Sequence, residues 1–252
     1  RWVQLPSAGI ESWFASGRLD TGRTWTSATG AYSDAVAEHA VALLLAGVRG
    51  LLVSARASSW DAEASASPQT TLRGTTVAIV GAGGIGRAMI PALSALGAEV
   101  IAVTRRGIAV DGALETLPAS RVGEVWERAD HVILAAPATD ETNALVGEDE
   151  LAVLGAAGWL VNIARGSLVD TDALVTALRD GVIAGAALDV TDPEPLPADS
   201  ALWSAPNCLI TPHVANPPQL QGAALANRVS ENVRRFAAGD DLVGVVDLDA
   251  GY

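Results

Sequence analysis

An α/β fold built on a doubly wound parallel sheet is the prediction for this chain, and three observations carry it. From Gly74 onward, short apolar β-branched runs alternate with segments whose apolar residues recur at helical spacing, the pattern of buried strands covered by helices on both faces. One of these runs, Thr76-Val77-Ala78-Ile79-Val80, passes directly into Gly81-Ala82-Gly83-Gly84-Ile85-Gly86, a strand–turn–helix junction. Residues able to do chemistry stand just past later strands, where open α/β sheets bind ligands: Arg165, Asp189 and His213.

The elements follow in order. Trp2-Val3-Gln4-Leu5 reads as a strand entered midstream. The chain starts at Arg1 rather than Met, so the expectation is that an N-terminal part is missing. A tight turn near Gly9, a loop rich in Ser, Thr and Gly at residues 17–30, and a long helix from about Ser33 come next. After the strand at 76–80, residues 84–96 predict a helix, 99–103 a strand, 121–128 a helix and 131–136 a strand followed by Pro137. Residues 158–163 predict a strand, 170–179 a helix, 185–190 a strand and 208–210 a last short strand. Between the last two, residues 191–206 hold Pro193, Pro195, Pro197 and Pro206, a rigid irregular excursion. Residues 220–237 return to helix, and no internal repeat is present. Domain crossovers are placed near Ala31 and Asn216.

Composition bounds the function. The chain has 252 residues, half of them hydrophobic and 18% charged, enough for a sizeable core. The net charge of -13 repels phosphate backbones and anionic lipid, so neither nucleic acid nor membrane is an expected partner. The single cysteine, Cys208, cannot form an internal disulfide, which fits a cytoplasmic setting. The most apolar run, residues 40–53, is interrupted by Arg49. It is shorter than the roughly 20 residues of a spanning helix and reads as a buried or interface helix.

The glycine run is a GxGxxG between a strand and a helix, the context in which this otherwise weak motif points to a dinucleotide. Gly81 permits the tight turn, Gly83 the approach of a pyrophosphate, and Gly86 close helix–strand packing. The helix start offers free amides and the positive end of a dipole. The predicted architecture is thus of the Rossmann type. Residues 31–216 form the dinucleotide-binding domain; residues 1–30 and 217–252 form a partial second domain. The carboxylate expected about 20 residues on, to hold the ribose, is absent; Val103-Thr104-Arg105-Arg106 stands there. Guanidiniums grip a 2′-phosphate that a carboxylate would repel, so NADP is expected over NAD. The competing reading makes Arg105 and Arg106 solvated surface charges.

Of the three histidines, His39 lies in the apolar helix and His131 starts a strand; both read as structural. His213, in Thr211-Pro212-His213 just past the last strand, sits where chemistry is expected, and imidazole suits proton transfer near neutral pH. Arg165 follows a buried strand, a costly place unless it binds an anion or forms a salt bridge. Asp189 ends the next strand, and Glu194 lies among the prolines. A carboxylate near His213 would orient the imidazole and favour its protonated form; a solvated loop acid is the alternative for Glu194.

These residues carry a resemblance. Gln4-Leu5-Pro6-Ser7-Ala8-Gly9, Val36-Ala37-Glu38-His39, residues 81–86, Asn162-Ile163-Ala164-Arg165-Gly166, Asp189-Val190 with Glu194-Pro195-Leu196-Pro197, and Thr211-Pro212-His213 together resemble the D-isomer-specific 2-hydroxyacid dehydrogenases, over nearly the whole chain. The resemblance implies that His213 gives a proton to a keto oxygen and Glu194 holds its far nitrogen. It makes Arg165 the clamp of the substrate carboxylate, assisted by backbone amides around Ala8 and Gly9. Asp189 would face the nicotinamide amide; Gly84 and Ile85 would contact pyrophosphate; Pro137, Thr142, Ile163 and Ala164 would line the cofactor cleft. No metal is implied.

Thr104-Arg105-Arg106 is similar to the NADPH-using glyoxylate and hydroxypyruvate reductases, so a small 2-keto acid is the expected substrate. Family members carry a longer N-terminal part, so the second domain is expected to be an incomplete flavodoxin-like one. The family also implies a homodimer paired through residues 40–53, against which stands burial of that helix within one subunit. A nucleotide-sensing protein of the corepressor type shares the fold and much of the site. A relative acting on formate or phosphite is the third reading; formate relatives pair the histidine with Gln, whereas this chain has Glu194.

Overall fold

The computed structural model describes residues 1–63 and 69–248, apart from the side chains of Glu11 and Ala15. The chain divides into two compact units, Arg1–Ala35 with Asn216–Tyr252, and Val36–Ala215.

In the first unit β1 (Trp2–Gln4) pairs in parallel with β2 (Thr24–Thr26), Val3 opposite Trp25. β2 corrects the reading of residues 17–30 as loop: three residues are too few for alternation to show, yet Trp25 is buried with Leu5, Ile10 and Val246. A short helix α1 (Glu11–Ala15) follows β1, and a long C-terminal helix, α7 (Pro218–Ala238), ends at Gly239 in the left-handed conformation. Asn232 on α7 is fully buried. It donates to Gln4 Oε1 and to the Val243 carbonyl, both at 2.9 Å, and accepts from Val243 N–H at 2.8 Å, which ties the helix to β1.

In the second unit seven strands form one all-parallel sheet in the order β5-β4-β3-β6-β7-β8-β9. These are β3 (Thr76–Val80), β4 (Glu99–Thr104), β5 (Glu115–Pro118), β6 (His131–Leu134), β7 (Trp159–Asn162), β8 (Gly185–Leu188) and β9 (Cys208–Ile210). The helices are α2 (Ser33–Val48), α3 (Leu51–Arg56), α4 (Gly84–Ala95), α5 (Glu148–Leu154) and α6 (Thr171–Arg179). The chain leaves β3 in one direction to β4 and returns on the other side to β6, so the strand order reverses there and opens a crevice at the carboxyl ends. Asp170 caps α6, its Oδ1 accepting from the amides of Asp172 and Ala173.

Val77, Ala78, Ile79, Val132, Ile133, Leu134, Leu160 and Val161 are fully buried, as continuous apolar strands between two helical layers must be. β8 opens on small residues, Gly-Ala-Ala, before Leu188, and Trp159 crowds its first position. A Cβ on Gly185 would overlap the Trp159 ring, and so would one on Gly47 of α2. The apolar run 40–53 is spent largely inside the chain: Ala40, Leu43, Leu44, Val48 and Leu52 are buried, while Ala42 and Leu51 are exposed.

Other expectations are corrected too. β5 and α5 lack strong periodicity and stand outside the elements that the sequence predicts. The helix at 121–128 is a 3₁₀ segment at Ala119–Val125, broken at Arg121 where φ is -113°; Gly123 inside it is a poor helix former. The strands at 131–136 and 185–190 end at Leu134 and Leu188, since the residues beyond them turn out of the sheet toward the crevice.

His131 is buried, accepts the Trp159 N–H at Nδ1 (3.3 Å), and has its pKa lowered from 6.5 by desolvation, against the opposing pull of Asp130. The unfolded chain therefore takes up this proton before the folded one does. The histidine's contribution is fully present above about pH 6.5 and is lost as the pH falls below it, until the folded pKa is passed. Urea midpoints measured at pH 7.5 and 5.5 should fall more for the parent protein than for His131→Leu.

Candidate active site

Register sets the height of every candidate residue. Val80 pairs with Leu134, Leu134 with Asn162, Asn162 with Leu188, and Leu188 with Ile210. Gly81 and Asp189 are thus the first residues above one common layer, and Pro137, Arg165 and His213 the third. All leave the sheet at its carboxyl edge.

At the β3–α4 junction the amides of Gly81 and Ala82 donate to the Val103 carbonyl at 3.1 and 2.7 Å, drawing the turn between β4 and β6. Gly81 has φ +101°, and a Cβ there would overlap the backbone of Ala136; only glycine satisfies both conditions. A Cβ on Gly86 would sit 2.9 Å from the Gly81 carbonyl oxygen and 3.0 Å from Ile79 Cγ2, so helix and strand are in contact there. Gly83 is different, for a Cβ on it would meet nothing within 4 Å. It is also the N-cap of α4 and offers no side-chain cap. The space beside Gly83 is thus open, and the first amides of the helix, Gly84 to Gly86, are donors of the kind that hold a diphosphate at a helix start.

Thr104 closes β4, its Oγ1 buried with no hydrogen-bond partner among the described residues, and Arg105 and Arg106 beyond it are exposed. In the loop after β6, Thr142 donates its hydroxyl to the Pro137 carbonyl (2.7 Å) and accepts from Thr139 N–H (2.8 Å), which fixes Pro137 at the mouth of the crevice.

Past β7, Ile163 and Ala164 are buried. Asn162 braces the turn: its Oδ1 accepts from Ala164 N–H (3.0 Å) and its Nδ2 donates to the Arg165 carbonyl (2.8 Å). Arg165 is half-buried, with Nη1 donating to the Ala164 carbonyl at 2.7 Å. A Cβ on Gly166 would overlap the Thr191 carbonyl. The Arg165 turn thus lies flush against the start of the proline-rich loop that carries Glu194.

Past β9, His213 is the partner of Glu194. Its Nδ1 lies 2.9 Å from Glu194 Oε2, and Glu194 Oε1 accepts the Thr191 N–H at 3.0 Å. With the carboxylate as acceptor, Nδ1–H donates, which leaves Nε2 to face a ligand. The His213 side chain is 55% exposed. Its backbone has φ +53°, a strained choice for a residue with a Cβ. Asp189 is only 2% exposed. Its Oδ1 accepts from Thr211 Oγ1 (2.6 Å) and Val214 N–H (2.9 Å), and its Oδ2 from Ala215 N–H (3.0 Å). The carboxylate thus holds the His213 loop, whatever it does for a ligand.

Cys208 is buried, and burial pushes its thiol up to about 12 against the attraction of Arg56, so no thiolate nucleophile operates here. Ala8 and Gly9 lie between β1 and α1, in the other compact unit. Residues 41–215 match the family described as D-isomer specific 2-hydroxyacid dehydrogenase, NAD binding domain.

The chain belongs to that family. It is accordingly a nicotinamide-dependent 2-hydroxyacid dehydrogenase with a Rossmann-type sheet. It is 36% identical over 197 residues to a glyoxylate reductase of Thermofilum pendens, covering 76% of this chain and 58% of the relative. It is 34% identical over 212 residues to an (S)-sulfolactate dehydrogenase of Chromohalobacter salexigens, covering 82% and 68%. Among solved structures it resembles a D-isomer specific 2-hydroxyacid dehydrogenase from Xanthobacter autotrophicus Py2 in complex with NADPH and MES. That match has 29% identity, a TM-score of 0.83, and covers 100% of this chain and 79% of the other. A member from Lactobacillus delbrueckii ssp. bulgaricus, in its NAD complexed form, matches at 26% identity with a TM-score of 0.75, covering 98% and 79%. In this dehydrogenase Gly166, Thr191 and Thr211 join the site without having been expected there, and His39 reaches Asp189 and Thr211 although its place in an apolar helix suggests a structural residue only. The glycine directly after Arg165 and the threonine inside Thr-Pro-His were the available signals.

Two glycines separate folding from binding. Gly166→Ala should cost about 1–3 kcal/mol, as overpacking against backbone does, and lower the urea midpoint. Gly83→Ala should leave the stability within about 1 kcal/mol of the parent yet weaken dinucleotide binding at least about tenfold, read by fluorescence titration.

Proposed function

We propose that this dehydrogenase transfers hydride between NADPH and a small 2-keto acid, glyoxylate or hydroxypyruvate being the favoured class. The observation that carries the reading is the 2.9 Å His213–Glu194 pair beside the Arg165 turn. Bound reduced nicotinamide supplies a hydride to the substrate carbonyl carbon. His213, with Nδ1–H held by Glu194, gives the Nε2 proton to the carbonyl oxygen and takes it back in oxidation. The guanidinium of Arg165 binds the substrate carboxylate and polarises the carbonyl. Residues 84–86 hold the diphosphate, and Asp189 and Pro137 stand toward the nicotinamide end.

Arg105 and Arg106 support NADPH: both are exposed past β4, in the place of a ribose-binding acid. A solved NADPH-dependent glyoxylate/hydroxypyruvate reductase from Sinorhizobium meliloti, in complex with NADP and sulfate, is 27% identical with a TM-score of 0.82. Residues 31–216 are the dinucleotide-binding share of the chain, and residues 1–30 and 217–252 the substrate-binding share. A homodimer joined through exposed residues of α2 and α3 and a cytoplasmic setting belong to the same proposal. No described helix is long and apolar enough to cross a membrane.

His213→Ala should lower kcat by about 10²–10⁴ while the NADPH dissociation constant stays within about twofold; undiminished turnover would remove His213 from the chemistry. With glyoxylate or hydroxypyruvate, kcat/KM should favour NADPH over NADH by about tenfold or more, and Arg105→Ala with Arg106→Ala should erase that preference. A parent preference for NADH would refute the cofactor assignment.

A further inference from the structure

The left-handed backbone at His213 needs a restraint, since an L side chain there is strained and persists only where its surroundings over-determine it. Two hydrogen bonds hold the residue itself: its N–H reaches the carbonyls of Asp189 (2.8 Å) and Thr211 (2.9 Å). The next two residues are held by the Asp189 carboxylate, through the amides of Val214 and Ala215. That carboxylate is buried, and its orientation therefore decides where the loop sits.

A third side chain sets that orientation. His39, on α2, places Nε2 3.0 Å from Thr211 Oγ1 and 3.3 Å from Asp189 Oδ1. The protons can be assigned. Asp189 accepts at both oxygens, so the single hydroxyl proton of Thr211 goes to Oδ1 across 2.6 Å. Thr211 Oγ1 then has only acceptor capacity left for His39, and Nε2 of His39 must carry a proton. The result is a directed chain, His39 Nε2–H to Thr211 O–H to Asp189 carboxylate, ending on the amides that follow His213.

We propose that His39 is a positioning residue for the proposed proton donor: it acts through Thr211 and Asp189 to keep the 211–215 loop, and with it the His213 imidazole, aimed at Glu194. This rests on the role proposed for His213. It does not require His39 to touch substrate or dinucleotide. The residue needed at position 39 is a side chain with a donor at that reach, not an imidazole as such.

Three variants test it. His39→Leu removes the donor, His39→Gln restores one, and Thr211→Val cuts the chain one link further on. Amide hydrogen exchange of the protein without ligand is read first, because it does not depend on turnover. His39→Leu and Thr211→Val should speed exchange at Val214 and Ala215 at least about tenfold while β3 and β6 keep parental rates; His39→Gln should restore protection. Turnover of a 2-keto acid should follow the same order, with kcat down about tenfold in the Leu and Val variants. Parental protection at Val214 and Ala215 in His39→Leu would overturn the proposal. So would a loss of protection spread over the sheet that His39→Gln fails to restore, since that marks a merely structural residue. If His39→Leu does not fold, Thr211→Val against Thr211→Ser, which keeps the hydroxyl, decides between the same two outcomes. If the parent protein turns over no 2-keto acid, the functional reading fails while the exchange result still decides the loop restraint.

Discussion

The parallel ladder of β7, β8 and β9 is the constraint on which the site depends. Because Asn162, Leu188 and Ile210 are level, the residues that follow them leave the sheet at one height and on adjacent strands. Neighbouring strands lie about 4.8 Å apart, so the backbones bearing Arg165 and His213, two strands distant, start about 10 Å apart at the sheet edge. That is a span that a guanidinium and an imidazole can close around a molecule of a few heavy atoms. A one-residue slip of β9 would move His213 off the layer and turn its side chain to the other face. The geometry of the candidate site is inherited from backbone hydrogen bonds made well below it.

The loops above that ladder are held by groups that leave little freedom. Gly166 admits the Thr191 backbone where any Cβ would overlap it, Asn162 braces the Arg165 turn, and Asp189 grips the loop of His213. The strain at His213 is thus met by hydrogen bonds already made before a ligand arrives. This is the arrangement in which donors aimed at developing charge act without reorganising. The half-exposed His213–Glu194 pair adds little to folding, as exposed ion pairs rarely do; its value is to fix which imidazole nitrogen faces outward.

Much of this was legible in the residues. β3 and β9 have the bounds that their apolar runs give, and the glycine junction followed from context: a run of glycines between a buried strand and an amphipathic helix has few other uses. β2 and β5 escaped because Thr-Trp-Thr and Glu-Thr-Leu-Pro are not apolar runs, and α5 because its apolar residues, 151–154, stand in a row rather than at helical spacing. The His213–Glu194 contact could not come from spacing, since a proline-rich loop lies between the two; family resemblance supplied it. His39 and Thr211 are 172 positions apart in the chain, and nothing local in an apolar helix distinguishes a histidine that donates across the fold from one that only fills space.

If Arg165 and His213 act on one bound molecule, their contributions to turnover are coupled, and a double-mutant cycle tests this most directly. The quantity to measure is kcat/KM for reduction of a 2-keto acid in Arg165→Gln, His213→Asn and the pair together. Groups serving one transition state are strongly non-additive, so the double variant should lose about as much as the worse single one. Losses that simply multiply, or a single variant with parental activity, would contradict a shared site.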